Sequence, residues 1–144
     1  MIASIITRRV VKYKNKSGPS EFTWGRWMAK LLVILFSPPA QYQNIDTICE
    51  LSKAAVEMNH EVTVFCDTDA TLNLLARQIS VDKTTPASKM AELIEKGVHI
   101  LACRESARLR GIDTKRDFIK GVGESSLGRL AEIMEQHDRI VSFG

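Results

Sequence analysis

The sequence predicts a three-layer α/β/α fold built on a mostly parallel sheet of five strands. Two observations favour this class. Short apolar runs recur along the chain, and the clearest, LLVILF at residues 31–36, has the composition of a strand buried on both faces. Segments with helical periodicity separate these runs, and such alternation indicates a parallel sheet between layers of helices.

The predicted strands share an apolar, often β-branched composition and lie at residues 31–36, 61–66, 98–103, 118–122 and 139–143. The run EVTVFC at 61–66 is typical of a strand, whereas FIKGV at 118–122 is the weakest of the five. Sites in such folds form at the carboxyl ends of the strands, so the loops after 36, 66, 103 and 122 are the places to search.

The predicted helices lie at residues 41–59, 68–79, 86–96, 104–110 and 124–137. Residues 68–79 place apolar side chains at i, i+3, i+4 and i+7, the spacing of an amphipathic helix. For the next helix, Thr85 is the expected N-cap, Pro86 takes the first helical position and Gly97 ends it.

Charge divides the chain of 144 residues into a basic extension, 1–27, and one domain, 28–144. The extension carries six basic residues against one acidic residue, and it is either flexible or an arm that packs on a neighbouring subunit through Phe22, Trp24 and Trp27. The domain has 14 basic and 16 acidic side chains, which argues against nucleic-acid binding. No apolar run reaches the roughly 18 residues of a membrane helix.

The cysteine and histidine pattern excludes several classes of site. Cys49, Cys66 and Cys103 form no CxxC pair, and the three histidines have no ligand spacing, so neither a disulfide framework nor a metal site is expected. A reducing, cytoplasmic location fits best. The loop GVGESSLG at 121–128 has Ser126 where the dinucleotide fingerprint requires glycine, which leaves nucleotide binding with little support.

The stretch VHILACRESARLRGI at 98–112 is the strongest candidate for chemistry. Cys103 ends a predicted strand and precedes a short helix, whose N-terminus favours a thiolate. Arg104 in the first helical turn, and Arg104 and Arg108 as like charges at i and i+4, are locally unfavourable, which indicates an anion held nearby. The structural alternative is a buried cysteine beside solvated arginines. Cys66 is the candidate second thiol, or else a small buried apolar residue.

Residues 97–112 resemble the cysteine segment of the DsrE/DsrF-like proteins, the intracellular sulfur-relay family that includes the TusD-type carriers. The resemblance extends over 30–144, through KLLVILFSPP, HEVTVFCDTDA and FIKGVGESSLGRLAEIMEQHDRIVSF. It implies a small α/β subunit, assembled as a homo-oligomer (trimer or hexamer) or a hetero-oligomer, with no cofactor. It also implies that Cys103 carries a persulfide or thiosulfonate between sulfur donor and acceptor proteins.

The leading hypothesis is therefore a sulfur carrier, a sulfurtransferase in the broad sense. Cys103 is its nucleophile, and the candidate supports for the bound anion or persulfide are Arg104, Ser106 and Arg108. Ser106 stands where some relatives have a second cysteine, which speaks against a local dithiol. Two alternatives remain open: a non-catalytic oligomeric binding or scaffold subunit of the same fold, and a thiol redox sensor that pairs Cys66 with Cys103.

Overall fold

The computed structural model describes residues 4–7, 28–80 and 84–144. The strands are β1 (Ser4–Thr7), β2 (Lys30–Leu35), β3 (Glu61–Cys66), β4 (His99–Cys103), β5 (Gly123–Ser125) and β6 (Arg139–Phe143). They form one sheet in the order β1-β6-β2-β3-β4-β5. The strands from β2 to β6 pair in parallel, and β1 is antiparallel to β6. The predicted fold class is confirmed.

The strand β1 belongs to the predicted basic extension. The remainder of that extension, including Phe22, Trp24 and Trp27, lies outside the described residues. The choice between a flexible segment and a subunit arm therefore stays a prediction.

The helices are α1 (Asn44–Glu57), a 3₁₀ helix (Thr68–Leu74), α2 (Pro86–Glu95), α3 (Arg104–Leu109) and α4 (Leu127–Gln136). The N-terminus of α2 is a capping box, in which the Thr85 hydroxyl accepts from the Ser88 N–H at 3.1 Å and the Ser88 hydroxyl accepts from the Thr85 N–H at 2.9 Å. Gly97, at φ +91°, follows the helix in the left-handed region. The start and the end of this helix were therefore readable from sequence.

Two predicted elements are wrong, and both errors have the same cause. The helix expected at 68–79 is a 3₁₀ helix that ends at Leu74, and the strand expected at 118–122 is an irregular segment. The Ile119 N–H donates to the Leu74 carbonyl, and the Ala76 N–H donates to the Asp117 carbonyl. The two segments thus exchange the backbone bonds that a helix or a sheet would have used. A turn follows at Gly121, where φ is +92°, and strand β5 therefore begins only at Gly123.

The chain path places the helices on both faces of the sheet. The strands β2, β3, β4 and β5 are successive neighbours, so right-handed crossovers carry α1, α2 and α3 to one face. The connection from β5 to β6 returns across the sheet in the opposite direction, which brings α4 to the other face. We call these the α1–α2 face and the α4 face.

The two faces are packed very differently. Among the described residues, the apolar cluster on the α1–α2 face has 20 buried members, which include Ile48, Leu74 and Leu93. The cluster on the α4 face has five, namely Leu32, Ile34, Phe65, Cys103 and Ile140. Helix α4 contributes no buried residue to it and covers it with the half-buried Leu130, Ile133 and Met134. The α4 face is therefore thinly covered.

Candidate functional site at the carboxyl edge of the sheet

Cys103 lies where β4 ends and α3 begins. It is the last residue of the strand and the N-cap of the helix, and its side chain points to the α4 face. In the isolated chain its exposed fraction is 0%. The structure therefore confirms the strand-to-helix junction predicted around this residue and shows in addition that α4 packs against the cluster to which Cys103 belongs.

The nearest polar group to the Cys103 thiol is a carboxylate. The S–H donates to Glu105 Oε2, at an Sγ–O distance of 3.7 Å, and Glu105 Oε1 accepts from Arg104 Nη2 at 3.1 Å. The pKa of Glu105 is lowered, first by a hydrogen bond from its own backbone N–H and then by Arg104. Glu105 is thus an ionised acceptor for the thiol proton, half exposed at the surface.

Ser106, one of the predicted supports, is instead engaged with the neighbouring strand end. Its buried hydroxyl donates to Asp67 Oδ1 at 2.5 Å, and the same oxygen accepts from the Thr68 N–H at 2.7 Å. Asp67 follows β3, caps the 3₁₀ helix and is only 5% exposed. This pair fixes the first turn of α3 against the loop after β3.

The two predicted arginine supports differ in their surroundings. Arg104 directs one guanidinium nitrogen to Glu105, while its Nε is enclosed and has no hydrogen-bond partner among the described residues. Arg108 is exposed, and its guanidinium makes no hydrogen bond or ion pair within the described ranges. Arg104 therefore borders the thiol through Glu105, and Arg108 lies at the solvent surface of α3.

Cys66, the candidate second thiol, is not brought to Cys103. It ends β3 in register with Ala102 and belongs to the cluster on the α1–α2 face, whereas Cys103 belongs to the opposite face. Burial raises the pKa of the Cys66 thiol to about 12, and the charge of Asp67 adds to this effect. Burial likewise raises the pKa of Cys49 to about 11. Both thiols are core residues, protonated at neutral pH.

Ser125 is the neighbour of Cys103 that sequence reasoning missed. The two residues are in register between β4 and β5. Ser125 is 9% exposed, and its hydroxyl has no hydrogen-bond partner in the described structure. Glu105 and Asp67 were missed as well. An acidic residue in the first turn after Cys103 was the signal for Glu105, whereas Asp67 and Ser125 are neighbours only through strand register.

Other classes of site find no support in the described part of the chain. It holds no group of three or more His, Cys, Asp or Glu side chains placed to bind a metal ion. No helix in it is long and apolar enough to cross a membrane. Two surface grooves of about 490 and 480 Å³ lie against the 3₁₀ helix and its following loop, and Cys103 lines neither of them.

Comparison with known proteins identifies the family. The model of the DsrE/DsrF-like family matches residues 29–143. The chain belongs to this family. No curated protein matches it.

Solved structures share the fold of this DsrE/DsrF-like chain. YchN from E. coli is 23% identical, with a TM-score of 0.73, over 81% of this chain and 100% of that one. MTH1491 from Methanobacterium thermoautotrophicum is 13% identical, with a TM-score of 0.62, over 80% of this chain and 99% of that one. BT1422 from Bacteroides thetaiotaomicron is 15% identical, with a TM-score of 0.59, over 78% and 94%. MTH1491 and BT1422 are described as proteins of unknown function.

Proposed function

We propose that this protein is a sulfur-relay subunit that carries a persulfide or thiosulfonate on Cys103. The observation that carries the proposal is the position of Cys103 at the carboxyl end of a parallel strand, with its S–H directed to an ionised carboxylate. Membership of the DsrE/DsrF-like family supports the same function. All three cysteines are free thiols, which suits a reducing, cytoplasmic compartment.

The transfer step needs no metal and no redox partner. Cys103 loses its proton to solvent by way of the half-exposed Glu105 carboxylate, and the thiolate attacks the outer sulfur of a persulfide on a donor protein. A new S–S bond forms to Cys103 while the donor's S–S bond breaks, and the electron pair leaves with the donor's inner sulfur as a thiolate. An acceptor thiolate then repeats the same exchange on the loaded Cys103.

Access to the thiol requires movement of its cover. Cys103 is buried in the isolated chain, and the part of α4 that packs against its cluster consists of the half-buried side chains of Leu130, Ile133 and Met134. Because α4 contributes no buried residue, its displacement disrupts little packing. We propose that donor and acceptor proteins, or neighbouring subunits of a homo- or hetero-oligomer, reach Cys103 by displacing α4.

Intact mass spectrometry tests the carrier function. The protein is incubated with a polysulfide and, separately, with tetrathionate, and each sample is then treated with reductant. We expect an adduct of sulfur or thiosulfonate that the reductant removes, that is absent in Cys103→Ser and that persists in Cys66→Ser. Absence of any adduct on the folded wild-type protein, or an adduct that survives in Cys103→Ser, would contradict the proposal.

Complete burial of Cys103 favours one competing function, an oligomeric scaffold in which this thiol is a core residue. The two functions differ in thiol reactivity. A scaffold cysteine under a fixed helix reacts with iodoacetamide only as fast as Cys66 in the same folded protein. A carrier cysteine reacts much faster than Cys66, and peptide mapping of the alkylated chain distinguishes the two thiols.

A further inference from the structure

The strand register places an unused hydroxyl beside the reactive thiol. Cys103 and Ser125 are aligned partners on β4 and β5, and aligned residues of parallel strands project to the same face. The preceding aligned pair confirms the face, because a Cβ on Gly123 would lie 2.8 Å from Leu101 Cδ2, and Leu101 packs against the cluster of Cys103. Ser125 therefore projects to the α4 face next to Cys103.

The Ser125 hydroxyl lacks the partner that a buried hydroxyl normally has. Its residue is 9% exposed, its Oγ is enclosed, and nothing in the described structure hydrogen-bonds to it, including the thiol of Cys103. Buried hydroxyls without a partner are rare in native proteins because they forgo the hydrogen bond that water would provide. The Ser125 hydroxyl lies beside Cys103, so it can donate a hydrogen bond to an atom that becomes bonded to the Cys103 sulfur.

Distance supports a single added sulfur atom as that partner. Neighbouring strands lie about 4.8 Å apart, so the Ser125 side chain is roughly that far from the thiol. The outer sulfur of a persulfide extends about 2.05 Å beyond Sγ, which brings it within hydrogen-bonding reach of the hydroxyl. The larger, more strongly anionic thiosulfonate would have to fit beside the ionised carboxylate of Glu105.

We propose that Ser125 is a positioning residue that donates a hydrogen bond to the outer sulfur of a persulfide on Cys103. The proposal rests on the carrier function proposed above and specifies which cargo the site stabilises. The hydrogen bond holds the persulfide as its anion and fixes the outer sulfur toward β5. Among the described residues, Glu105 contacts the thiol and Arg104 pairs with Glu105, while the α4 side chains packed against the cluster of Cys103 are uncharged.

The test compares persulfide ionisation in variants of Ser125. Each protein is loaded with polysulfide, loading is verified by mass, and the absorbance of the persulfide anion is titrated against pH. Because removal of a donor to an anion disfavours that anion, Ser125→Ala should raise the pH midpoint by about one to two units. Ser125→Thr keeps the hydroxyl and should retain the wild-type midpoint, while Ser125→Val, which has the shape of threonine without the hydroxyl, should resemble Ser125→Ala.

A matched control separates this role from the loss of any buried hydroxyl. Ser52 is also fully buried with an unpartnered Oγ, but it lies on α1, on the opposite face of the sheet. Ser52→Ala should leave the midpoint unchanged. Equal midpoints in Ser125→Thr and Ser125→Val would overturn the role of Ser125 while leaving the carrier function intact. A wild-type chain that takes up no sulfur would overturn both.

Discussion

The two faces of the sheet contain the same kinds of side chain but are closed to very different degrees. The α1–α2 face buries 20 apolar residues beneath two well-packed helices, and Cys49 and Cys66 are among them. In the described part of the chain, the α4 face buries five apolar residues beneath α4, which has no buried residue of its own, and Cys103 is among those five. Burial alone therefore does not distinguish a structural thiol from a functional one, because all three cysteines are buried. Under the proposed function, the thinner cover of the α4 face is what separates Cys103 from Cys49 and Cys66.

The largest effect expected from this comparison is a difference between two leucine truncations. Leu93 on α2 is completely buried, and Leu93→Ala should lower the free energy of unfolding by about 2–5 kcal/mol because it leaves a cavity. Leu130 on α4 is half buried, so Leu130→Ala should lower it by only about 1 kcal/mol. Urea denaturation measures both values, and equal losses would mean that the α4 face is as firmly packed as the other.

The second prediction concerns the carboxyl edge of the sheet, where the loop after β3 contacts α3. Asp67→Ala removes the cap of the 3₁₀ helix and leaves the buried Ser106 hydroxyl unpaired, so it should destabilise the fold by about 2 kcal/mol. In Ser106→Ala the cap remains. If the hydrogen bond between these residues matters, the double variant should lose less stability than the two single variants added together. Additive losses would show that the Asp67–Ser106 hydrogen bond contributes nothing.

The third prediction uses pH to examine the α1–α2 face alone. The folded-state pKa values of Cys66, about 12, and Cys49, about 11, exceed the ordinary value of 9.0, so folding favours the protonated thiols. Their contribution is complete below pH 9 and is lost as the pH rises toward 11–12, because the unfolded chain deprotonates first. In that range, each thiol should lower the free energy of unfolding by about 1.4 kcal/mol for every unit by which the pH rises.

Comparison with a cysteine-free α1–α2 face isolates this effect from the lysines and tyrosines that titrate nearby. The variant Cys49→Ala/Cys66→Ala should show a shallower loss of unfolding free energy between pH 9 and pH 11 than the wild type. Parallel curves for the two proteins would contradict the assignment of Cys49 and Cys66 as protonated core thiols.

The sequence was sufficient for the parts of the fold that local chemistry determines. The apolar runs located β2, β3, β4 and β6, and the Thr85–Pro86 pair located the start of α2. The segments at 68–79 and 118–122 were misassigned because their backbone groups bond to each other across more than 40 residues, which no local pattern reveals. Their apolar spacing is real, but tertiary pairing overrides it.

The candidate site shows the same division. Cys103 and the helix after it were evident, since both depend on adjacent residues. The contact of Ser106 with Asp67 and the alignment of Ser125 with Cys103 depend on which strands are neighbours and in what register. The separation of Cys66 from Cys103 depends on register as well, because one residue along a strand reverses the face to which a side chain points.

The smallest expected effect bears most directly on function, and it concerns how often α4 uncovers Cys103. Leu130→Ala weakens the contact of α4 with the sheet by about 1 kcal/mol, which should increase the open population, and with it the alkylation rate of Cys103, roughly fivefold. Leu130→Ala also lowers the free energy of global unfolding, so the rate at the core thiol Cys66 should rise by a similar factor, but from a much lower starting value. Leu72→Ala, a truncation of a half-buried residue on the α1–α2 face, should leave Cys103 unaffected. Peptide mapping after timed exposure to iodoacetamide measures both thiols in one sample. Acceleration of Cys103 together with Cys66 in Leu72→Ala would mean that Cys103 is reached only by global unfolding, and the thin cover would then have no role in delivering sulfur.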